Sequence, residues 1–308
     1  MHRTIEITVA PTQTDRLCRE LEQVEHVIGL SLQRGASIKP PGDVIIVHTL
    51  NRGVDDILRR VSAAQKGGSI SVATAELASI IDPDHQDAVD NDVDEAIWEE
   101  METGLRHQGR VTPNFVALMA LGGAITTAGL VSDPVPQAIA FVAASIIAPG
   151  FEPIAKIPLG LILRRWNVVW RGVQSTVVGY VVLILAAALT FLVLQALGAS
   201  TVAAFVENPE VERIAHPTAI DLLVSACAAV AGVIMIAAYR RSVIAGPLIA
   251  LVLIPAAAMI GVALAAGETT LAREGLERLG LDAVLIVLLG ASVLFLKQVT
   301  VHRRRSMV

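Results

Sequence analysis

The sequence has little cysteine and lacks the short motifs that mark common enzyme families. Cys18 and Cys227 are its only cysteines, and they lie in parts of the chain with different character, which argues against a disulfide framework or a cysteine metal site. There is no glycine-rich phosphate loop ending in Lys-Ser/Thr, no His-Glu-x-x-His and no Gly-x-Ser-x-Gly. We therefore expect no enzyme activity, no metal and no cofactor.

A basic patch interleaved with aromatic residues is also missing, so nucleic acid is not an expected partner. The formal net charge of −5 comes from one segment, because residues 82–102 hold ten acids and no Lys or Arg. The rest of the chain is net basic. The whole-chain charge therefore says little about partners.

The hydrophobic residues, 54% of the chain, are concentrated after residue 112. Because about 20 apolar residues of helix cross a hydrocarbon core, we predict a polytopic α-helical membrane protein with about six transmembrane helices and the lipid bilayer as a partner. The apolar segments lie at 114–131, 134–150, 172–198, 218–238, 243–266 and 281–299. The predicted divisions are a domain at 1–80, a linker at 81–112 and a membrane domain at 113–308.

The loops between the apolar segments alternate in basic content. Ser132 to Pro134 has no base, and the loop at 207–213 is mainly acidic. Basic residues are concentrated in the alternate loops and the tail, namely Lys156, Arg164, Arg165, Arg171, Arg240, Arg241, Lys297 and Arg303 to Arg305. By the positive-inside rule we predict a multi-pass protein of the cell (inner) membrane with both termini in the cytoplasm.

Residues 1–80 have the composition of a soluble α+β domain. Thr4 to Val9 alternates as a half-buried strand does, and the full pattern reads β-α-β-β-α-β, the order of a ferredoxin-like domain. That fold serves ligand sensing in some proteins and packing or assembly in others. Gly29 and Gly35 are candidates to line a ligand site, and a plain assembly role is the alternative.

The linker at 81–112 begins as an acidic segment and continues as an amphipathic helix. Its apolar face consists of Ile97, Trp98, Met101 and Leu105. Its opposite face carries Glu95, Glu99 and Glu102. One interpretation is a solvated juxtamembrane helix with Trp98 at the membrane interface. The other is an acidic ring that concentrates cations around an oligomeric axis.

The membrane domain contains an internal repeat. A shift of 106 residues places Pro149 on Pro255 and lays the first three apolar segments on the last three. Because three spans is an odd number, the two halves have opposite orientations in the bilayer. This predicts an inverted three-plus-three repeat, as in many secondary transporters. The alternative is chance alignment of similar apolar helices.

The block from Ser145 to Ile154 predicts an interrupted helix. Pro149 and Pro153 cannot donate backbone hydrogen bonds, and Gly150 permits a turn. Gly246, Pro247 and Pro255 predict a similar break in the second half. Carbonyl groups freed at the two breaks would face each other at one depth and bind an ion or solute.

Glu152 adjoins the predicted break in an apolar setting, where an ionisable group is costly and marks a candidate functional site. The alternative is a salt bridge to Lys156, four residues later. Asn114 and Thr126 are further polar candidates for the pathway, or else form hydrogen bonds between helices.

Three segments, 94–101, 113–115 and 146–154, resemble the family catalogued as domain of unknown function 389, a group of hydrophobic membrane proteins of bacteria and archaea. The block around Pro149 and Pro153 carries the most specific part of the likeness. The resemblance implies a multi-pass protein from about residue 94 onward and supplies no substrate.

The leading hypothesis is a homo-oligomeric transporter or channel for a small solute or ion, modulated by the cytoplasmic domain. The alternative is a membrane-anchored ligand sensor or assembly module without transport. The predicted pathway residues are Ser145, Pro149, Gly150, Glu152, Pro153, Gly246, Pro247, Pro255, Asn114 and Thr126.

Overall fold

The computed structural model describes residues 2–65, 69–238 and 245–303, with the side chains of residues 108 and 245–251 outside that description. The described chain forms two compact units. The first lies within residues 1–99 and 298–308, and the second is 100–297. The predicted basic pairs at 240–241 and 304–305 lie outside the described residues.

The first unit is an antiparallel sheet with two main helices. Its elements are β1 (His2–Val9), α1 (Pro11–Glu22), β2 (Val27–Ile38), β3 (Pro41–Thr49), α2 (Val54–Ala64), β4 (Ser71–Leu77) and the short helix α3 (Gln86–Asp90). The strands lie in the order β2-β3-β1-β4, with each neighbouring pair antiparallel. The predicted β-α-β-β-α-β order of elements is present.

The core of this unit lies where the sheet meets its helices. The alternation of β1 places Ile5, Ile7 and Val9 in the interior, as its period of two predicts. Apolar residues at helical spacing on α1 and α2 cover them, so the core is closed by Leu17, Leu21, Ile57, Leu58 and Val61.

Trp98 is fully buried in the first unit, so its predicted position at a membrane interface is not found. Its indole nitrogen donates to the carbonyl oxygen of His302 at 3.2 Å. Nδ1 of His302 in turn lies 3.1 Å from Oδ1 of Asp55. A buried indole N–H needs a hydrogen-bond acceptor, and here the backbone carbonyl of His302 is that acceptor.

The acidic face of the helix that begins at Trp98 also differs from its prediction. Helix α4 (Trp98–Gln108) buries its apolar stripe as expected, but Glu102, predicted on the solvated face, is buried too. Its carboxylate accepts a hydrogen bond from Arg106 at 3.2 Å and lies 3.5 Å from a guanidinium nitrogen of Arg165. Glu102 thus neutralises arginines of its own unit, which weakens the hypothesis of an acidic ring.

The second unit is helical. Besides most of α4, it contains α5 (Pro113–Leu130), α6 (Pro134–Ile147), α7 (Phe151–Ile162), α8 (Trp166–Ala196), α9 (Val202–Val206), α10 (Pro209–Ala215), α11 (Ala219–Ala237), α12 (Ala245–Ala266) and nearly all of α13 (Thr269–Thr300). Among the described residues, four helices are long and apolar enough to cross a membrane, and the bent pair α6 and α7 makes a fifth span if it is counted as one.

The outer surface of the second unit is apolar. Leu185, Leu189, Leu288 and Phe295 are each more than half exposed, although they lie in the middle or final turns of long helices. A water-soluble protein rarely exposes so many large apolar side chains together, whereas lipid tails cover them without cost. These helices indicate a membrane protein.

Helix α12 lies at the centre of this unit. Every residue from Leu253 to Ala263 is buried, and the helix contacts α5, α6, α7, α8 and α11. The predicted break at Gly246, Pro247 and Pro255 is wrong, because α12 is one continuous helix from Ala245 onward. A proline in the first helical turn removes no intrahelical hydrogen bond, and closely packed neighbours stabilise a helix that contains an interior proline.

Two glycines let α8 pack closely between α5 and α12. A Cβ atom at Gly123 would overlap the carbonyl oxygen of Leu183, and one at Gly261 would overlap that of Ile184. The two contacts fall on adjacent residues of α8, so both neighbouring helices approach its backbone at the same level. Small residues at such crossings are typical of membrane helix packing.

We predict that Gly123→Ala and Gly261→Ala each lower the free energy of unfolding by about 1–3 kcal/mol, since the new methyl group must push a backbone apart. The thermal unfolding midpoint of the purified protein in detergent measures this loss. Gly280→Ala is the matched control, because nothing lies within 4 Å of the position of its Cβ. Equal midpoints for all three variants would contradict the close crossing.

In the first unit, Asp43 of β3 holds β2 in place. Its Oδ1 accepts from the backbone N–H of Gly35 at 2.7 Å, and its Oδ2 accepts from the hydroxyl of Thr14 at 2.7 Å. Gly35 has a φ of +63°, a left-handed conformation that suits glycine. These hydrogen bonds, that of Gly35 foremost, lower the pKa of Asp43 below its usual value.

A carboxyl group whose pKa is lower in the folded state stabilises the fold above its unfolded pKa, and this stabilisation is lost as the pH falls through the folded value. We predict that Asp43→Asn lowers the urea midpoint of the first unit at neutral pH. The difference from the wild type should shrink below about pH 4, near the unfolded pKa of Asp. Hydrogen-exchange protection of β3 peptides gives the midpoint, and a pH-independent difference would exclude this role.

Candidate functional site

The predicted interruption at Pro149 is confirmed. Helix α6 ends at Ile147, α7 begins at Phe151, and their axes differ by 50°. Pro149 has no N–H with which to continue the ladder of α6. The chain turns tightly instead, with the N–H of Gly150 donating to the carbonyl of Ala148 at 2.8 Å.

The backbone groups at this break are partly satisfied by the protein itself. The hydroxyl of Tyr180 on α8 donates to the carbonyl oxygen of Gly150 at 3.1 Å. The buried side chain of Ser145 donates to the carbonyl of Val142 at 2.8 Å. Pro153 falls in the first turn of α7, where a missing N–H removes no helical bond. The backbone carbonyl of Gly150, one of the predicted pathway residues, therefore has a partner within the protein.

The break packs against the centre of α12. A Cβ atom added at Gly150 would lie 3.5 Å from Cγ1 of Ile254, the residue before Pro255. The two predicted proline positions thus lie close together, as the repeat implied, although only Pro149 interrupts its helix.

Glu152 lies in the first turn of α7, where the helix dipole favours a carboxylate. Its Oε2 is buried and has no hydrogen-bond partner among the described residues. The predicted alternative, a salt bridge with Lys156, is not found, because the ammonium of Lys156 donates to the carbonyl oxygen of Gly109 instead. An unpaired buried carboxylate oxygen is costly and marks a site that a cation, proton or solute can satisfy.

A cleft of about 440 Å³ lies beside Lys156, the residue that follows Glu152 by one helical turn on α7. Basic side chains from α4, α7, α8 and the segment before α5 form most of its wall. This basic cleft is lined by Arg106, His107, Arg110, Val111, Lys156, Arg171, Gln174 and Ser175.

A second cleft, of about 590 Å³, lies at the other end of α5. It is lined from Pro134 at the start of α6 and from the segment 210–224, and it reaches Pro255 and Arg278. The basic cleft lies where α5 begins, and this second cleft lies beyond its end. The length of α5, 18 residues, corresponds to about 27 Å.

One charged pair inside the apolar second unit was not predicted from the sequence. Arg278 and Asp282 on α13 form an ion pair at 2.9 Å, and their side chains are only 6% and 3% exposed. Arg278 also donates to the hydroxyl of Ser225 on α11 at 2.8 Å. Arg278 lies outside the predicted apolar segment 281–299, but α13 already begins at Thr269. The i,i+4 spacing of the two charges was the available signal in the sequence.

The remaining predicted residues do not join the site. Asn114 is exposed in the first turn of α5. Thr126 is buried, and its hydroxyl donates to the carbonyl of Gly122 within the same helix at 2.8 Å. Gly246 and Pro247 have side chains outside the described residues. Among the residues that the structure describes, no three His, Cys, Asp or Glu side chains are placed to share a metal ion.

Residues 145–288 match the family described as Domain of unknown function (DUF389). Comparison with curated proteins and with solved structures gives no match. The family match begins at Ser145, at the end of α6, and so includes the break, Glu152 and the Arg278–Asp282 pair. Over this region, which contains the candidate site, the chain is similar to the DUF389 family of hydrophobic proteins of unknown function.

Proposed function

We propose that this protein is a membrane transporter or channel for a small solute or ion. The observation that carries the proposal is Glu152, whose buried carboxylate oxygen has no partner among the described residues and which lies one turn from the basic cleft. A membrane anchor or assembly module has no need of an unsatisfied carboxylate next to a helix break. The absence of a salt bridge to Lys156 favours transport over the sensor alternative.

The two clefts suggest where the pathway runs. One reaches Lys156 on α7, and the other reaches Pro255 on α12. Between them, Gly150 packs against Ile254. A movement of α7 away from α12 would connect the clefts past Glu152, which makes the break the gate of an alternating-access mechanism.

The proposal includes an inverted repeat. The 106-residue shift places Pro113–Leu130 on Ala219–Ala237, the bent pair 134–162 on Ala245–Ala266, and Trp166–Ala196 on Thr269–Thr300. These helix boundaries agree within a few residues, which supports the repeat beyond the similarity of composition. Inverted repeats place a substrate site at their interface, near the bilayer midplane.

We further propose that the first unit is a ferredoxin-like cytoplasmic module that modulates transport, and that the protein is a homo-oligomer in the inner membrane. The β2-β3-β1-β4 order and the antiparallel pairing support the ferredoxin-like topology. The basic residues of the cleft support a cytoplasmic position for the start of α5.

Glu152→Gln should reduce solute flux at least tenfold, because the amide cannot carry the charge or the proton of the carboxylate. Initial rates of flux are measured in liposomes for a panel of inorganic ions and small metabolites. Glu277→Gln is the control, since it removes a carboxylate whose side chain is 61% exposed on the same unit. Full flux in the Glu152 variant, or no flux of any solute through the wild type, would refute the proposal.

The proposed orientation predicts which loops react from outside. In a background with Cys18→Ser and Cys227→Ser, Asp133→Cys should be labelled in intact spheroplasts by a membrane-impermeant maleimide. Asn167→Cys should react only after permeabilisation, because it lies on the basic, cytoplasmic side. Both positions are exposed in the structure, so accessibility within the protein does not separate them. The reverse labelling pattern would show that the orientation is opposite to the proposed one.

A further inference from the structure

The basic cleft carries an unusual concentration of like charge. Four of its eight lining residues are Lys or Arg, one is His107, and none is acidic. Like charges gathered around one cleft repel each other. This repulsion raises the free energy of the unliganded protein, and an anion bound in the cleft would lower it.

Carboxylates of the protein compensate only part of this charge. Glu102 pairs with Arg106 from one side and lines a smaller adjoining pocket. Arg110 and Arg171 pair with no carboxylate within the part of the chain that the structure describes. Both guanidinium groups therefore remain available to a ligand.

Lys156 gives the cleft a buried cation. Its side chain is only 5% exposed, yet it lines the cavity. An ammonium has three donors, and the carbonyl of Gly109 takes one of them. A buried charge is expensive unless it is paired, so the remaining donors favour an anionic partner at this end of the cleft.

We propose that this cleft binds a phosphate-bearing anion. Guanidinium groups match phosphate oxygens in bidentate geometry, and Lys156 adds a point charge. The amide of Gln174 is a neutral donor on the same wall, while the hydroxyl of Ser175 already donates to the carbonyl of Arg171 at 2.7 Å. A volume of about 440 Å³ admits a phosphorylated small molecule or a lipid headgroup as well as free phosphate.

Binding at this site does not require that the protein transport anything. The phosphate group has two possible sources, a soluble anion and the headgroup of an anionic lipid in the cytoplasmic leaflet, because basic pockets between membrane helices also bind headgroups. The two sources share the contacts with Arg110, Arg171 and Lys156.

The test uses the full chain in phosphatidylcholine nanodiscs and measures affinity by calorimetry. One arm titrates pyrophosphate, and the other titrates short-chain phosphatidylglycerol. We expect saturable binding in at least one arm, about tenfold weaker for Arg110→Gln and for Arg171→Gln, since each loses a charge-assisted contact. Binding of pyrophosphate assigns a soluble ligand, and binding of the lipid alone assigns a headgroup.

Arg273→Gln is the matched control. It removes the same charge from the same unit, but its side chain is 79% exposed and pairs with Glu277 away from the cleft lining. Arg110 and Arg171 are themselves exposed, so their variants should keep the thermal unfolding midpoint of the wild type. Absence of binding in both arms would overturn the proposal, and so would equal weakening by Arg273→Gln. Either result would leave the flux test of Glu152 unaffected.

Discussion

Polar groups inside an apolar helical unit need partners from the protein, because no water is present to provide them in the hydrocarbon region. This constraint explains the long side chains that reach backbone carbonyls at helix ends. Tyr180 donates to the carbonyl of Gly150 at the break, and Lys156 donates to that of Gly109 after α4. Lys297 does the same for Ala237 at the end of α11, at 2.8 Å. A cation at a helix C-terminus also interacts favourably with the helix dipole. At the interrupted span it is the hydroxyl of Tyr180 that provides such a donor.

The same constraint separates charges that are paired within the protein from a charge that is not. Arg278 and Asp282 form an ion pair at 2.9 Å, and Arg278 also donates to Ser225 on α11, so each charge has an opposite charge beside it. Glu152 has no comparable partner among the described residues, although it lies at a similarly apolar position. A carboxylate oxygen left in this state gains free energy from any proton or cation that reaches it. The ion pair with Arg278 therefore distinguishes Asp282 from Glu152.

Local pattern predicted much of the architecture and little of its long-range pairing. The alternation of β1, the apolar stripe of α4 and the break at Pro149 follow from periodicity and from the chemistry of proline, so they were visible in the sequence. The bond from Trp98 to His302 joins residues 204 positions apart, and the contact from Glu102 to Arg165 joins α4 to the residue before α8. No periodicity encodes such pairs. The break predicted at Pro255 was wrong for a related reason, because the packing of α12 against six other helices, rather than its sequence, keeps it continuous.

The difference between the two halves bears on how the site would work. Pro149 and Pro255 occupy equivalent positions under the 106-residue shift, yet one interrupts its helix and the other does not. Breaks in both halves would leave two unsatisfied regions of backbone at the same depth. The close packing around α12 keeps it helical at Pro255, so only the break at Pro149 is present. The continuous helix then provides a rigid wall, and the broken one carries Glu152 toward the basic cleft. In the proposed mechanism, this asymmetry confines movement to α7, so that the packed centre of the unit stays intact.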